Sequence, residues 1–167
     1  MPLPGPVGCA VSYEVVIEFE GRTIITAQGR ITVPAGFEPL DLGGSFAASF
    51  GPVYVSWADN RLGFVVAERH LNPVGVCHGG AIATFADMQV AVVKTGLGTA
   101  AGYMPTIHLD VDYVAPAPLG SWVDLAVSLV KNTRNLIFTQ ALITADGNIV
   151  ARSSGIYRNP IKVRAQS

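Results

Sequence analysis

One stretch of this chain, His78–Lys94, has the periodicity of a long helix, and its apolar face is unusually wide. Ala81, Phe85, Met88 and Val92 stack in one row, and Ile82, Ala86, Gln89 and Val93 form the adjoining row. A face that broad needs cover, which predicts a helix wrapped by a sheet. The helix opens at His78-Gly79-Gly80 and stops before Gly96 and Gly98, with Lys94 placed for the negative end of the helix dipole.

The rest of the chain is punctuated. Its 167 residues hold 18 glycines and 11 prolines, above the usual share of roughly 12%, as expected of short strands and turns. Residues 13–28 fit a hairpin, with Tyr13, Val15, Ile17 and Phe19 alternating with Glu14, Val16, Glu18 and Glu20. Pro34, Gly36, Pro39, Gly43 and Gly44 then mark a loop. Phe46–Trp57 reads as strand, broken at Gly51-Pro52; Asp59-Asn60 reads as a turn and Leu62–Arg69 as the return. After the helix, Pro105, Ile107, Leu109, Val111 and Tyr113 alternate with Thr106, His108, Asp110 and Asp112. Ser121–Val130 and Leu136–Ala145 flank the polar loop Lys131–Asn135, and Asp146-Gly147 is a hairpin turn into Ile149–Tyr157. Strands, one long apolar helix, then four more strands describe an α+β fold, an antiparallel sheet with a single helix on one face.

Composition narrows the function classes. Apolar residues make up 50% and charged residues 14%, against a typical charged share of about 25%, so the chain is not a solvated, disordered one. The formal net charge of -1 offers no basic surface for duplex nucleic acid. So few charges leave little polar surface for a lone monomer and point to apolar surface covered by another subunit. The most apolar region, Val74–Val93, is interrupted by His78, Asp87 and Gln89 and falls short of the ~18 apolar residues of a membrane span. The opening MPLPGPVGCAVS has no positive side chain and three prolines, unlike a secretory signal, and cytoplasm is the expected compartment. Cys9 and Cys77 make neither a disulfide framework nor a metal cluster.

The segment Asn72-Pro-Val-Gly75-Val-Cys-His78-Gly79-Gly80 carries the chemistry. Two glycines at a helix start are poor helix formers. They read either as a flexible loop or as a place where a ligand must approach backbone N–H groups that have no helical partner. Such amides can polarise a carbonyl and hold a developing oxyanion. Asp87 lies on the row Thr84, Asp87, Ala91, Lys94. It reads either as part of a solvated face or, given Phe85, Ala86, Met88, Val90 and Ala91 around it, as a carboxylate set against apolar surface.

Asn-x-x-Gly-x-x-His-Gly-Gly with an acid nine residues after the His resembles the hotdog-fold thioesterases of the PaaI-like, phenylacetate-pathway type. Asn72, Gly75, His78, Gly79, Gly80 and Asp87 fit that spacing, and the resemblance runs from about Gly36 to Pro160. It leaves residues 1–35 as an N-terminal extension of unassigned role and 36–167 as the domain. It implies hydrolysis of an acyl-CoA or related thioester, with no cofactor beyond the CoA of the substrate. It also implies a curved antiparallel sheet wrapped around one central helix, and homodimers with shared active sites, often paired into tetramers. By the same resemblance the Gly79 N–H polarises the thioester carbonyl, with Gly80 beside the substrate, while Asn72 and His78 shape that pocket. Asp87 is the nucleophile or the general base for water, and Thr106 stands near the water or the carboxylate.

Helix geometry bears on this separately. Gly79 and Asp87 are eight residues apart, about 12 Å along the axis. One Asp side chain cannot span that gap to a carbonyl held about 3 Å from the Gly79 amide. If both act on one substrate, they come from different chains. Lys131 and Arg134 read either as a solvated hairpin tip or as contacts for the phosphates of CoA. His108-x-Asp110-x-Asp112 reads as a plain polar strand face, with no metal expected, and Cys77 as a small buried residue. Two rival functions remain at this level: a hydroxyacyl-CoA dehydratase using His70 with Asp87, and a non-catalytic acyl-CoA sensor.

Overall fold

The computed structural model of the protein describes residues 10–19, 22–96 and 104–159. Cys9 and Gly98 lie outside the described residues. The N-terminal strands β1 (Ala10–Phe19) and β2 (Arg22–Thr32) pair antiparallel in a two-stranded sheet of their own, Ala10 opposite Thr32. Glu20 and Gly21, between them, lie outside the described residues.

The main sheet is built from β3 (Glu38–Leu40), β4 (Val53–Ser56), β5 (Arg61–Val65), β6 (Thr106–Tyr113), β7 (Trp122–Asn132), β8 (Leu136–Ala145) and β9 (Asn148–Arg158). Its order is β3-β4-β5-β7-β8-β9-β6, antiparallel at every step. Local chemistry sets the turns. Asn60 (φ 53°) closes the β4–β5 hairpin, and Asp146-Gly147 (φ 48° and 84°) closes β8–β9, both in the left-handed region that Asn, Asp and Gly tolerate.

The long helical segment lies against this sheet as α2 (Gly79–Asp87) and α3 (Gln89–Gly96). Ile82, Phe85, Ala86, Val92 and Val93 are buried with Leu62 and Phe64 of β5, Leu125 of β7, and Ile137 and Ile143 of β8. The two apolar rows of the sequence are therefore the sheet-facing side, as their width requires. The segment is not one uninterrupted helix: it breaks at Met88, where the Ala91 N–H bonds to the Met88 carbonyl rather than one residue further back. No described helix is long and apolar enough to cross a membrane.

Two local expectations need correction. Residues 46–50 are not strand but part of a short helix, α1 (Gly44–Phe50). Gly43 (φ 65°) and Gly51 (φ 105°) turn the chain sharply at either end, and the Ala47-Ala48-Ser49 core favours helix. Phe46 is left outside while Phe50 drops into the core against Phe64 and Phe85. The strand after the Asn60 turn ends at Val65, not Arg69, because Glu68–His70 form a single 3-10 turn. That turn is held by the His70 ring: Nδ1 accepts from the Ala67 N–H at 3.0 Å and Nε2 meets the Phe50 carbonyl at 2.7 Å.

On the outer face, Arg61 grips Asp124 with two hydrogen bonds, Nε to Oδ1 at 2.9 Å among them. Beside them Trp122 lies over Gly63, where a Cβ would come within 2.0 Å of the indole ring.

Candidate active site

The approach to α2 is a tied loop. Asn72 Oδ1 accepts from the N–H groups of Val74 (3.1 Å) and Val76 (3.2 Å), and its backbone pairs with Val76. Gly75 turns the loop at φ 82°. Asn72 is thus an Asx-type brace within this loop. The His78 N–H bonds back to the His70 carbonyl at 2.7 Å, which fixes where the helix begins.

The first-turn amides divide unequally. The His78 ring caps the helix, its Nδ1 accepting from the Gly80 N–H at 2.8 Å. Ala81 and Ile82 bond to the His78 carbonyl. The Gly79 N–H has no hydrogen-bond partner among the described residues and sits at the positive end of the helix. Gly80 therefore serves the cap rather than presenting an amide, and a Cβ there would come within 2.9 Å of His78 Nδ1. Next to Gly79 runs an apolar groove of about 350 Å³, lined by Cys77, Ile82, Tyr113, Val114, Ala117 and Val150. Tyr113 also donates to the Gly79 carbonyl at 2.9 Å. Burial pushes the Cys77 thiol up to about 11, so it is a neutral wall of this groove and not a thiolate.

Asp87 closes α2 and is half-buried. Thr106 Oγ1 donates to Asp87 Oδ1 at 2.7 Å, bringing together two residues that the sequence places 19 apart. Thr106 begins β6 beside a register shift in its pairing with β9. That irregularity frees its side chain from strict alternation.

Lys131 and Arg134 are exposed at the β7–β8 tip. Thr106 is opposite Tyr157, Tyr157 opposite Ile137, and Ile137 opposite Asn132. The basic tip and the Asp87–Thr106 pair therefore share one end of the sheet, three strand spacings or about 14 Å apart. His108 and Asp110 stay on the exposed strand face, and Asp112 is taken by Arg152 at 2.6 Å. His70 is buried between Phe50 and Phe64 with both ring nitrogens engaged, so it offers no free acid or base to pair with Asp87.

Sequence reasoning did not single out Tyr113, Gln89 or Tyr157. Gln89 had a visible signal, since an amide in an otherwise apolar helix row must find buried partners. Tyr113 and Tyr157 had none, because what they touch lies on elements distant in sequence.

Residues 74–151 match the thioesterase superfamily. A protein of Pseudomonas aeruginosa named only as an esterase is 29% identical over 141 residues, 78% of this chain and 99% of that protein. Human acyl-coenzyme A thioesterase 13 is 32% identical over 91 residues, 52% of this chain and 63% of that protein, so the match spans less than two thirds of the relative. The structure of the Escherichia coli PaaI protein from the phenylacetic acid degradation operon superposes with a TM-score of 0.55 at 16% identity, covering 74% of this chain and 83% of that one.

Proposed function

We propose that this chain, a hotdog-fold member of the thioesterase superfamily, hydrolyses acyl-CoA thioesters to the free acid and CoA. The observation that carries the reading is the division of the first-turn amides, which leaves the Gly79 N–H without a partner among the described residues, at the positive end of α2 beside an apolar groove. A thioester oxygen accepting from that amide is stabilised as charge builds on it. The groove is of the right character for an acyl or pantetheine arm. Asp87, oriented by Thr106, either attacks the carbonyl carbon or takes a proton from the attacking water. Both routes consume one water and release one thiol. Lys131 and Arg134 would receive the phosphates of CoA.

The site is proposed to be shared between two copies. Within one chain, Tyr113 ties Gly79 to one end of β6 and Thr106 ties Asp87 to the other. β6 is an edge of the sheet, with Ile107, Tyr113 and Val114 all more than half exposed. Two copies related by a two-fold axis would pair their β6 edges antiparallel. That pairing sets the Thr106 end of one strand beside the Tyr113 end of the other, and so Asp87 of one copy beside Gly79 of the other. The same pairing would cover the apolar edge that the low charge content anticipates.

Release of free thiol from a panel of acyl-CoAs tests the function. A folded Asp87→Asn protein is expected to lose at least ~100-fold in kcat. Wild-type turnover in that variant removes Asp87 from the reaction and overturns the reading.

A further inference from the structure

Beneath Asp87, where the helix breaks at Met88, lies a buried polar cluster. At a helix interruption the local carbonyls lose their usual amide partners, and in a core each needs a substitute. Here side chains supply substitutes, with the Met88 N–H also turned to the Ala86 carbonyl. Gln89 Nε2 donates to the Ala86 carbonyl at 2.9 Å, and the Tyr157 hydroxyl donates to the Asp87 carbonyl at 3.3 Å. Gln89 and Tyr157 are both 0% exposed.

The two are held in turn. Thr139 Oγ1 donates to Gln89 Oε1 at 2.8 Å, and Ser153 Oγ lies 3.4 Å from Gln89 Nε2. Burial, then the Asp87 charge, pushes the Tyr157 phenol far above its ordinary value, so it stays a donor. Gly155 makes room: a Cβ there would come within 2.6 Å of the Tyr157 ring and 2.9 Å of Thr139 Oγ1. Thr139 comes from β8, and Ser153 and Tyr157 from β9, which pairs with the Thr106 end of β6. Asp87 is thus gripped twice, at its carboxylate by Thr106 and at its own carbonyl by Tyr157.

We propose that Gln89 and Tyr157 are positioning residues: by completing the interrupted carbonyls of Ala86 and Asp87 they end α2 at Asp87 and hold its carboxylate at the angle the reaction needs. This rests on the reading that Asp87 acts in thioester hydrolysis. An apolar helix row could pack equally well without an amide, so packing alone does not call for Gln89. Misplacement of a reacting group by about 1 Å is enough to cost roughly 100-fold in rate.

The test is steady-state acyl-CoA hydrolysis by Tyr157→Phe, which removes one hydroxyl, and by Gln89→Met, which keeps the length but not the hydrogen bonds. Each is also made in the Asp87→Asn background. Folding is checked by thermal unfolding. The expected result is a kcat lowered about 10- to 100-fold with KM within twofold of wild type, and no further loss when either change is added to Asp87→Asn. Thr139→Val, which frees Gln89 Oε1, is expected to lower kcat in the same direction by less, and it serves in place of a variant that does not fold. An inactive Asp87→Asn together with normal kcat in folded Tyr157→Phe, or equal losses in both backgrounds, overturns the positioning role alone. Full activity of Asp87→Asn, or no thioester hydrolysis by the wild type, overturns the underlying reading and the positioning role with it.

Discussion

Gly79 and Asp87 are tied to opposite ends of one edge strand: the Tyr113 hydroxyl donates to the carbonyl of the first at 2.9 Å, and Thr106 donates to the carboxylate of the second at 2.7 Å. The unpaired amide and the acid are therefore each held in place yet kept apart. On the proposed reading, the amide that binds a carbonyl and the acid that attacks it would meet only at a site shared with a second copy.

Complementation follows directly. Gly79→Pro deletes the free amide and should fold, since proline suits the first helical position and His78 already has the extended backbone (φ -64°, ψ 137°) that proline demands of its predecessor. Asp87→Ala deletes the acid. Each homodimer is expected to be nearly inactive, whereas a co-expressed mixture recovers up to about a quarter of wild-type activity, about half the dimers being mixed with one intact site each. A Gly79→Ala control keeps the amide while crowding Tyr113 to the same degree. Verified mixed dimers with no recovered activity would refute the shared site.

Lys131 and Arg134 lie at the same end of the sheet as Asp87 but about 14 Å away, too far to touch a reacting bond. Replacing both by Ala should raise KM for CoA esters several-fold at low salt and lower kcat much less. An unchanged KM would leave them as a solvated hairpin tip.

Gly63→Ala should destabilise the fold by about 3 kcal/mol, since its Cβ would overlap the Trp122 ring at 2.0 Å and the indole is packed by Phe37 and Tyr54. Turnover per folded molecule should be preserved. A urea midpoint equal to wild type would contradict the packing.

Desolvation lowers the His70 pKa below its ordinary 6.5, with the Phe50 carbonyl opposing and Arg69 adding to the effect. The folded ring is neutral, as its acceptance of the Ala67 N–H requires. As pH falls below 6.5 the unfolded chain takes up a proton that the folded chain refuses, so stability is full above that value and declines toward the lowered one. Urea midpoints measured between pH 7 and 5 should fall in wild type and fall less in His70→Gln. Parallel slopes would exclude His70 as the cause.

Much of the fold was legible as pattern. The apolar rows of 78–94, the Asp146-Gly147 turn and the alternation of the later strands are local signals, each set by a periodicity or a backbone preference within a few residues. The short helix at 44–50 was not legible, because its single buried anchor, Phe50, looks the same in a strand. Of the proposed site, Gly79 and Asp87 could be named, and their separation along a helix could be calculated. Local pattern thus settles which groups are present, how far apart one helix holds them, and that this helix alone cannot bring them together. Tertiary structure decided what each group is free to do. It spent the Gly80 amide on the His78 cap, locked His70 into the core, delivered Thr106 to a carboxylate 19 residues away and broke the helix over Tyr157, 70 residues beyond Asp87. Those outcomes depend on strand order and register, which arise when the whole sheet closes around the helix, and no local stretch of sequence contains them.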